Sequence, residues 1–467
     1  METIGNGRAS LGLSVLGMLF LAPPAFSLND GLALTPPMGW ISLYAFPNGA
    51  SSESLLLQTA NAMATSGMKD VGYQYVIQDD GWISGRAAGT GKPIADAAKF
   101  PHGFKWMTDS IHALGLKAGI FTAVGTQTGL GVPGTGSLGY EDVDAQQYAD
   151  WGFDFLKNDW CKTASIPSTW TNNPMGLFSR MKNAIKKTGR PIVLSLYEKG
   201  QSGVKTPWTW SDSVGHMWRT TKDIGPAFTT VIGINLDGNA DIGSFQHPGG
   251  YNDPDMLEVG LTSGGMTQIE FQSHFSLWCV MGSPLIVQID LRTMTAAMKD
   301  ILCNKDAIAV DQDSLGFQGR RTVNTSGGEM VFVKRLKNSA TKAVLLFNYS
   351  GATMTIGVKW TDDSIGWKST DKVTVFDLWT KTKTASVTGG YSATNIPSHG
   401  CAFLLLTNEG MTTALAPKPS SSASLPTNLP AFDASGRRIG GAREDLGVRL
   451  KVAPDGQSAD QIFTIGR

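Results

Sequence analysis

The sequence predicts an α/β protein in which a barrel of eight βα units is followed by an all-β domain. Between about Gly31 and Asp313, helix-like stretches that end at glycine alternate with short apolar runs. This alternation is typical of parallel βα arrays, and its length of about 280 residues is close to the roughly 250 residues of a (β/α)₈ barrel. After Asp313 the chain changes to short β-rich runs separated by Gly, Asn, Ser and Asp turns, which predicts the second domain.

The helices and strands of the barrel are predicted from apolar runs and from glycine. Helices are predicted at 52–66, 104–114, 142–151, 177–187 and 269–281, each followed closely by a glycine. Strands are predicted at 73–77, 117–121, 153–156, 192–195 and 285–287, each after one of these helices. An open, doubly wound sheet is the alternative architecture, but no G-x-G-x-x-G loop follows an early strand.

The remainder of the chain divides into an all-β domain and a tail. Strands of the β domain are predicted at 329–335, 342–348, 354–358, 373–378 and 400–406. From residue 409 the composition turns to Pro, Ser, Thr and Ala, which is typical of linkers. The predicted organisation is a signal peptide at 1–27, the barrel at 28–315, the β domain at 316–408, and a Pro/Ser-rich linker and tail at 409–467. The tail has no assigned role and is expected to be dispensable for activity, because it has no periodic apolar face to bury.

The charge balance and the cysteine count exclude several kinds of partner. The 467 residues contain 39 Lys and Arg against 39 Asp and Glu, so the formal net charge is zero and there is no basic excess to bind nucleic acid. The four cysteines form no C-x-x-C pair and the six histidines have no ligand spacing, so neither a metal nor a cofactor is predicted. Thirteen tryptophans in a chain with 17% charged residues favour a neutral, hydroxyl-rich ligand.

The N-terminal residues predict export. A single basic residue, Arg8, precedes an apolar run at 11–22, and Ala25 and Ser27 supply small side chains for cleavage. The run is too short to span a membrane, which takes about 20 apolar residues. We therefore expect a secreted or periplasmic protein with no membrane anchor beyond this segment. An N-terminal anchor that stays uncleaved is the alternative.

Charged side chains recur where the predicted strands and related short motifs end. These residues are Asp79, Asp80, Lys157, Asp159, Glu198, Arg219, Asp223, Asp253 and Asp255. In a barrel the carboxyl ends of all strands lie on one face, and active sites form there. Any one acid could instead cap a helix or close a turn. Five such places on one rim favour a polar cup that can hold a hydroxyl-rich ring, since buried charges are costly unless paired, solvated or functional.

Two carboxylates in such a cup predict glycoside hydrolysis. One carboxylate attacks or activates water, and the other protonates the leaving oxygen. Lys157 and Asp159 are two residues apart, so they share one face of a strand. A neighbouring cation favours the ionised form of Asp159, as a nucleophile requires. A plain ion pair at the end of a strand is the alternative reading of these two residues.

Several longer motifs then point to one family. They are TPPMGW (35–40), QDDGW (78–82), GSLGYEDVDAQQYADWGFDFLKNDWC (136–161), WRTTKDI (218–224) and PGGYNDPDMLEVG (248–260). In this order they resemble the α-galactosidase family, glycoside hydrolase family 27. The resemblance implies a (β/α)₈ TIM barrel followed by a C-terminal antiparallel β-sandwich domain. It also implies a retaining double displacement on a galactoside oligosaccharide or polysaccharide, without a metal or another cofactor.

The resemblance implies a role for each candidate site residue. Asp159 matches the nucleophile and Asp223 the acid/base, and the carboxyl groups of a retaining pair lie about 5–5.5 Å apart. Asp79 and Asp80 match the pair that binds the 4- and 6-hydroxyls of galactose, and Glu198 takes the place of the glutamate that reads the 2-hydroxyl. The remaining implied substrate-binding residues are Trp40, Phe121, Lys157, Arg219 and Asp255; Asp253 is expected to be structural.

Some positions depart from the family pattern, so other activities stay open. Leu43 replaces a tryptophan, Phe121 replaces a tyrosine, Tyr197-Glu198-Lys199 replaces Cys-Glu-Trp, and Gly81 replaces the cysteine of the family's DDCW motif. Gly129 replaces the cysteine that commonly bridges to the position of Cys161. The alternatives are an α-N-acetylgalactosaminidase, a β-L-arabinopyranosidase or an isomaltodextran-type α-glucan hydrolase. A non-catalytic carbohydrate-binding barrel and a surface-attached structural protein are less well supported, since both carboxylates are present and the tail has no apolar run.

Overall fold

The computed structural model describes residues 28–414, except positions 29, 48 and 201–205. The strands of its first region are β1 Met38–Ile41, β2 Tyr75–Gln78, β3 Ile83–Arg86, β4 Pro93–Ala95, β5 Lys117–Ala123, β6 Phe155–Asp159, β7 Val193–Tyr197, β8 Met217–Arg219, β9 Tyr251–Asp253 and β10 Leu285–Val287. The predicted signal peptide, and the predicted linker and tail beyond residue 414, lie outside the described residues. The predicted domain boundaries stay predictions.

Helices alternate with these strands. They are α1 Glu53–Thr65, α2 Gly103–Ala113, α3 Glu141–Trp151, α4 Pro174–Thr188, α5 Phe228–Thr230, α6 Asp237–Asn239, α7 Gln268–Met281, α8 Ala296–Leu302 and α9 Lys305–Asp311, with α10 Glu409–Ala414 after the second domain. A π-helical run, Val231–Leu236, joins α5 to α6. Single 3₁₀ turns lie at Lys69–Val71, Thr163–Ser165, Pro207–Thr209, Ser211–Ser213, Gly243–Phe245, Thr262–Gly264 and Leu291–Thr293. Every helix predicted for the barrel overlaps an observed helix.

Eight parallel strands form the sheet of the barrel. Their order is β10-β1-β2-β5-β6-β7-β8-β9. A bridge between Leu257 and Val287 joins the chain after β9 to β10, and the amide of Leu257 donates to the carbonyl of Ile286 at 2.8 Å. The sheet therefore curls round to its own first strand, which confirms the predicted (β/α)₈ barrel. The hairpin of β3 and β4 lies outside this sheet.

The two faces of the strands bury different side chains. One cluster, which includes Tyr75, Phe155, Val193 and Tyr197, fills the inside of the barrel. The alternate residues, such as Leu194 on β7, belong to the larger cluster between the strands and the helices. Since successive side chains on a strand point to opposite faces, this alternation fixes which residues reach the mouth of the barrel.

The second domain is an antiparallel β-sandwich. Its strands are β11 Arg320–Asn324, β12 Glu329–Arg335, β13 Thr341–Asn348, β14 Met354–Lys359, β15 Val373–Asp377, β16 Lys383–Val387, β17 Gly390–Ile396 and β18 Cys401–Asn408. A six-stranded sheet of order β11-β12-β13-β18-β15-β16 faces the pair β14-β17. Residues including Val344, Ile356, Trp360 and Leu404 form the apolar layer between them. Each strand predicted for this domain overlaps an observed one.

The sandwich packs directly on α7 of the barrel. Trp379 donates from its indole N–H to the hydroxyl of Ser276 at 2.9 Å, and the hydroxyl of Ser273 donates to the carbonyl of His399 at 2.6 Å. A ring nitrogen of His399 lies 2.7 Å from a carboxylate oxygen of Glu270.

The described residues contain no helix long and apolar enough to cross a bilayer.

Candidate active site

A cavity of about 600 Å³ lies at the carboxyl ends of the barrel strands. Seven of the ten predicted site residues line it: Asp79, Asp80, Phe121, Lys157, Asp159, Asp223 and Asp255. Leu43, Tyr44, Phe46 and Leu130 form an apolar side of the same cavity. The cavity therefore has a charged floor beside an apolar wall, which is suited to a ring that carries both hydroxyl groups and C–H surfaces.

Strand β6 places Lys157 and Asp159 on one face, as predicted from their spacing. The ammonium of Lys157 donates to Asp79 at 2.8 Å, and both side chains are almost fully buried. Burial alone would lower the pKa of Lys157, but Asp79 and Asp159 outweigh it and raise the pKa. Among the described residues, no donor bonds to the carboxylate of Asp159, which lines the cavity.

Asp79 and Asp80 are oriented by backbone groups at the end of β2. Asp79 accepts a hydrogen bond from the amide of Asp80 at 2.9 Å in addition to the bond from Lys157. Asp80 accepts from the amides of Gly81 at 2.7 Å and Leu130 at 2.8 Å, so it also ties the loop around Leu130 to the strand. Burial raises the pKa of Asp80, against these two hydrogen bonds. Both carboxylates are held in place before any ligand binds.

Arg219 organises the opposite side of the cavity. Its guanidinium is fully buried and forms an ion pair with Asp255 at 2.8 Å. A second nitrogen of Arg219 lies 3.6 Å from a carboxylate oxygen of Asp223. Asp255 also accepts from the amide of Ile224 at 2.7 Å and has a left-handed φ of 103°. A strained residue that accepts several hydrogen bonds is typical of a functional site, where the surroundings hold the strain in place.

The π-helical run supports the turn that carries Asp223. The buried amide of Asn235 donates to the hydroxyl of Thr221 at 3.0 Å, to the carbonyl of Lys222 at 3.1 Å and to the carbonyl of Pro254 at 2.6 Å. One side chain therefore joins the segments that lead to Asp223 and to Asp255. A π-bulge inside a helix is frequent near functional sites.

The two predicted catalytic carboxyls have different proton affinities. Burial raises the pKa of Asp159 to about 7, although Lys157 and Lys199 oppose the shift. Burial acts on Asp223 in the same direction, but Arg219 and Lys199 outweigh it and lower its pKa. With the side chains in this arrangement, a proton binds more readily to Asp159 than to Asp223. A nucleophile has to be ionised and a general acid has to be protonated, so catalysis requires the opposite order of pKa values. The charges around Asp223 therefore affect whether it can act as the general acid.

Three predicted site residues do not line the cavity. Trp40 is fully buried on the outer face of β1 and donates to the carbonyl of Ile289 at 2.6 Å. Arg219 lies behind the ring of Tyr197, 4.0 Å from its centre. Glu198 is fully buried and accepts from the amide of Gly200 at 2.9 Å, because it continues the outward-facing series of β7. None of the three lines the cavity in this arrangement, and their expected contacts with a ligand stay predictions.

Tyr197 and Lys199 both line the cavity, and the sequence reasoning predicted neither of them as a site residue. In β7, Val193 and Tyr197 belong to the inner cluster, and Tyr197 pairs with Asp159 across the sheet. Counting by two from Val193 would have predicted that Tyr197, and not Glu198, faces the cavity. The inward-facing position at the end of β7 is therefore held by a tyrosine, whereas the predicted Glu198 is the next residue along the chain.

Gly129 lies opposite Cys161, which is unpaired like the other three cysteines. A Cβ atom built on Gly129 would lie 3.9 Å from the sulfur of Cys161 and 3.1 Å from an oxygen of Asp80. The position therefore faces Cys161 as a bridging cysteine would. The approach to Asp80 requires a shift of a few tenths of an ångström.

We expect Gly129→Cys to form a disulfide with Cys161 under oxidising conditions. The new bond closes a loop of about 30 residues and should stabilise the fold by up to about 4 kcal/mol, less any strain at Asp80. After air oxidation and denaturation, thiol titration should count one free thiol fewer than in the parent protein. One thiol more than in the parent would show that the two sulfurs do not meet.

The family model described as alpha galactosidase A matches residues 35–313, and that described as the alpha galactosidase C-terminal beta sandwich domain matches residues 326–406. The chain belongs to the α-galactosidase family. Both matched regions coincide with the two parts of the fold, and the first contains every residue of the candidate site.

Individual members of the α-galactosidase family agree with this assignment. A protein of Dictyostelium discoideum named "probable alpha-galactosidase" is 42% identical over 383 residues, which cover 82% of this chain and 94% of that protein. The crystal structure of alpha-galactosidase I from Mortierella vinacea is 33% identical with a TM-score of 0.74, and the match covers 81% and 98% of the two chains. The alpha-N-acetylgalactosaminidase of Mus musculus is 37% identical, over 70% of this chain and 80% of that one. Relatives named for different sugars are therefore similar to this chain at comparable levels of sequence identity.

Proposed function

We propose that this protein is a retaining exo-α-galactosidase, which removes terminal α-D-galactosyl residues from oligosaccharides or polysaccharides. The observation that carries the proposal is that Asp159 and Asp223 face one cavity, beside the clamp formed by Asp79 and Lys157. Glycoside hydrolysis ordinarily requires two carboxyl groups at one site that can hold a sugar. Membership of the α-galactosidase family supports galactose as the sugar.

The first step transfers the sugar to the enzyme. An oxygen of Asp159 attacks the anomeric carbon and forms a covalent bond to it, while the bond from that carbon to the glycosidic oxygen breaks. Asp223 gives its proton to the departing oxygen, which leaves as a neutral hydroxyl group. Asp159 suits attack because no described donor occupies its oxygens, and Asp223 suits proton transfer to a leaving group because its side chain is 55% exposed at the cavity rim.

The second step releases the sugar. Asp223, now ionised, takes a proton from water, and the water oxygen attacks the anomeric carbon as the bond to Asp159 breaks. Asp223 regains its proton, and Asp159 returns as a carboxylate. Two inversions at the same carbon leave the galactose with the configuration of the substrate.

The rigid carboxylates of β2 are proposed to read the hydroxyl groups of the sugar. Asp79 and Asp80 retain acceptor capacity toward the cavity after their internal hydrogen bonds, and Lys157 adds a donor. A pocket whose polar groups are fixed in advance rejects a sugar that leaves them unpaired. The 4- and 6-hydroxyls of galactose are the groups that these residues are proposed to bind.

Tyr197 favours galactose over N-acetylgalactosamine. It is the inward-facing residue at the end of β7 and is only 6% exposed, so its ring occupies space that a 2-acetamido group would need. A small residue would be expected there in an enzyme that accepts the acetamide. This point supports α-galactosidase activity over the activity named for the mouse relative.

A panel of nitrophenyl glycosides tests the proposal. The α-galactoside should be hydrolysed with a higher kcat/KM than the α-N-acetylgalactosaminide, the β-L-arabinopyranoside and the α-glucoside. NMR of the first product should show α-galactose before mutarotation. Preference for another glycoside would overturn the sugar assignment, and β-galactose as the first product would overturn the double displacement.

We also propose that the protein is exported to the periplasm or the medium. The apolar run at 11–22 and the small residues Ala25 and Ser27 support cleavage after a short signal. N-terminal sequencing of protein from the culture medium or periplasm should begin near residue 28. Intact residues 1–27 on protein recovered only from the cytoplasm would contradict export.

A further inference from the structure

Lys199 reaches back into the cavity from the turn after β7. Its φ is 47°, in the left-handed region that a non-glycine residue rarely adopts. The side chain is only 9% exposed and lines the cavity, and its ammonium forms an ion pair with Asp223. A lysine at the lip of a cavity ordinarily extends into water. Here the backbone turn directs it to the carboxylate instead.

Tyr197 contacts the same carboxylate from the floor of the cavity. Its hydroxyl lies 3.3 Å from an oxygen of Asp223 and 3.0 Å from an oxygen of Asp255, so it bridges the two acids. Its ring lies 5.3 Å from the ammonium of Lys199 and 4.2 Å from that of Lys157. The negative face of the ring stabilises these cations where they are.

Asp223 is surrounded by charged and polar groups from several elements. Lys199 and Tyr197 approach it from β7 and the following turn, Arg219 from β8, and Asp255 from the segment after β9. Lys157 and Asp159 on β6 act on it at longer range. Among the cations of the described residues, Lys199 is the one in direct hydrogen-bond contact with Asp223, because the nearest nitrogen of Arg219 is 3.6 Å away.

We propose that Lys199 and Tyr197 are positioning residues for Asp223: Lys199 holds the carboxylate ionised until substrate separates the pair, and Tyr197 fixes its orientation against Asp255. The proposal rests on the proposed role of Asp223 as the acid/base. The direct contact to Lys199 lowers the pKa of Asp223 together with Arg219. A general acid must carry a proton before it can give one, so the ion pair has to open for the first step.

If Lys199 holds Asp223 ionised, substitution of Lys199 should change the pH dependence of activity. Removing its charge should let Asp223 bind a proton more readily, so the limb of the pH profile that reports Asp223 should move to higher pH. A cation within about 4–6 Å lowers the pKa of an aspartate by roughly 1–3 units, so the expected displacement in Lys199→Met is about one pH unit or more. Lys199→Arg keeps the charge and should leave the limb where it is.

The experiment is a pH profile of kcat/KM on an α-galactosyl disaccharide, whose leaving group needs a proton, for a set of variants. Asp223→Ala identifies the relevant limb, because that limb should disappear with the carboxyl. Lys199→Met should displace the same limb upward. Lys222→Met removes a lysine charge one residue from Asp223, but its side chain is exposed, and the limb should not move. If Lys199→Met unfolds, Lys199→Gly tests the same loss of charge with a residue that suits the positive φ.

Tyr197→Phe tests the second contact. The ring and its cation contacts stay, and only the hydroxyl is lost. We expect kcat on a disaccharide, whose leaving group needs a proton, to fall about tenfold with KM little changed. The loss on nitrophenyl galactoside should be smaller, since that leaving group needs little proton assistance.

Failure of this proposal can be distinguished from failure of the proposed function. If Asp223→Ala removes a limb but Lys199→Met and Lys199→Gly leave that limb in place, Asp223 is the acid/base and Lys199 does not set its protonation. An equal loss on both substrates in Tyr197→Phe would likewise overturn positioning by Tyr197. If Asp223→Ala removes no limb at all, the assignment of the acid/base itself is wrong.

Discussion

Asp159→Asn is expected to abolish turnover while the fold remains intact. Loss of a covalent nucleophile removes the first chemical step, and comparable losses in other enzymes reach about 10⁴-fold or more in kcat. The measurement is kcat on nitrophenyl α-galactoside, together with a thermal unfolding curve. Burial raises the pKa of Asp159 to about 7, so the folded state disfavours its ionised form. An uncharged amide removes that cost, and the free energy of unfolding at pH 7 should be equal or higher.

An exposed aspartate provides the matched control. Asp109→Asn makes the same chemical change on α2, where the side chain is 57% exposed, and should leave turnover unchanged. A folded Asp159→Asn protein with kcat near that of the parent would remove Asp159 from the mechanism. Loss of turnover accompanied by a large fall in the thermal midpoint would indicate a structural role instead.

Asp223→Ala is expected to produce a loss that depends on the leaving group. General acid catalysis contributes about 10²–10⁴-fold, so hydrolysis of a disaccharide should fall by that factor. Formation of the covalent intermediate from nitrophenyl galactoside should fall much less, because nitrophenolate leaves without a proton. The pre-steady-state burst of nitrophenol measures this first step separately from hydrolysis.

Azide provides an independent readout for the same variant. Without the carboxylate of Asp223, a small anion can enter and attack the anomeric carbon of the intermediate. The product should be a galactosyl azide with the same anomeric configuration as the substrate, because formation of the intermediate and attack by azide each invert the anomeric carbon. Equal losses on both leaving groups, with no azide product, would exclude Asp223 as the acid/base.

The barrel could be predicted from sequence because its signals are local. Apolar strands follow helices that end at glycine, and the predicted strand at 285–287 matches β10 Leu285–Val287 without any shift. The bounds of β8 Met217–Arg219 and β9 Tyr251–Asp253 were not predicted, because three residues give no usable period. In the sandwich, β11, β16 and β17 were missed, since they lie at the edges of their sheets and most of their side chains are at least partly exposed.

The candidate site was predictable to the extent that its residues follow strands. Lys157 and Asp159 share a face because β6 is regular through Asp159, and their spacing alone requires this. The placement of Glu198 outside the lining was not foreseen, because a displacement of one residue along a strand turns a side chain to the opposite face. In β7 the regular alternation continues through Tyr197, and Glu198 is buried outside the lining of the cavity.

The sequence by itself determined the fold class, the family and the set of acids at the mouth of the barrel, because these depend on local periodicity and on motif order. The tertiary structure decided which side chains meet: Lys157 pairs with Asp79 across 78 positions, and Lys199 and Tyr197 close on Asp223. Such contacts depend on the curl of the sheet and on the backbone of the turns, including the positive φ of Lys199. Proton affinity at Asp159 and Asp223 follows from burial and from the neighbouring charges, and neither exists until the chain is folded.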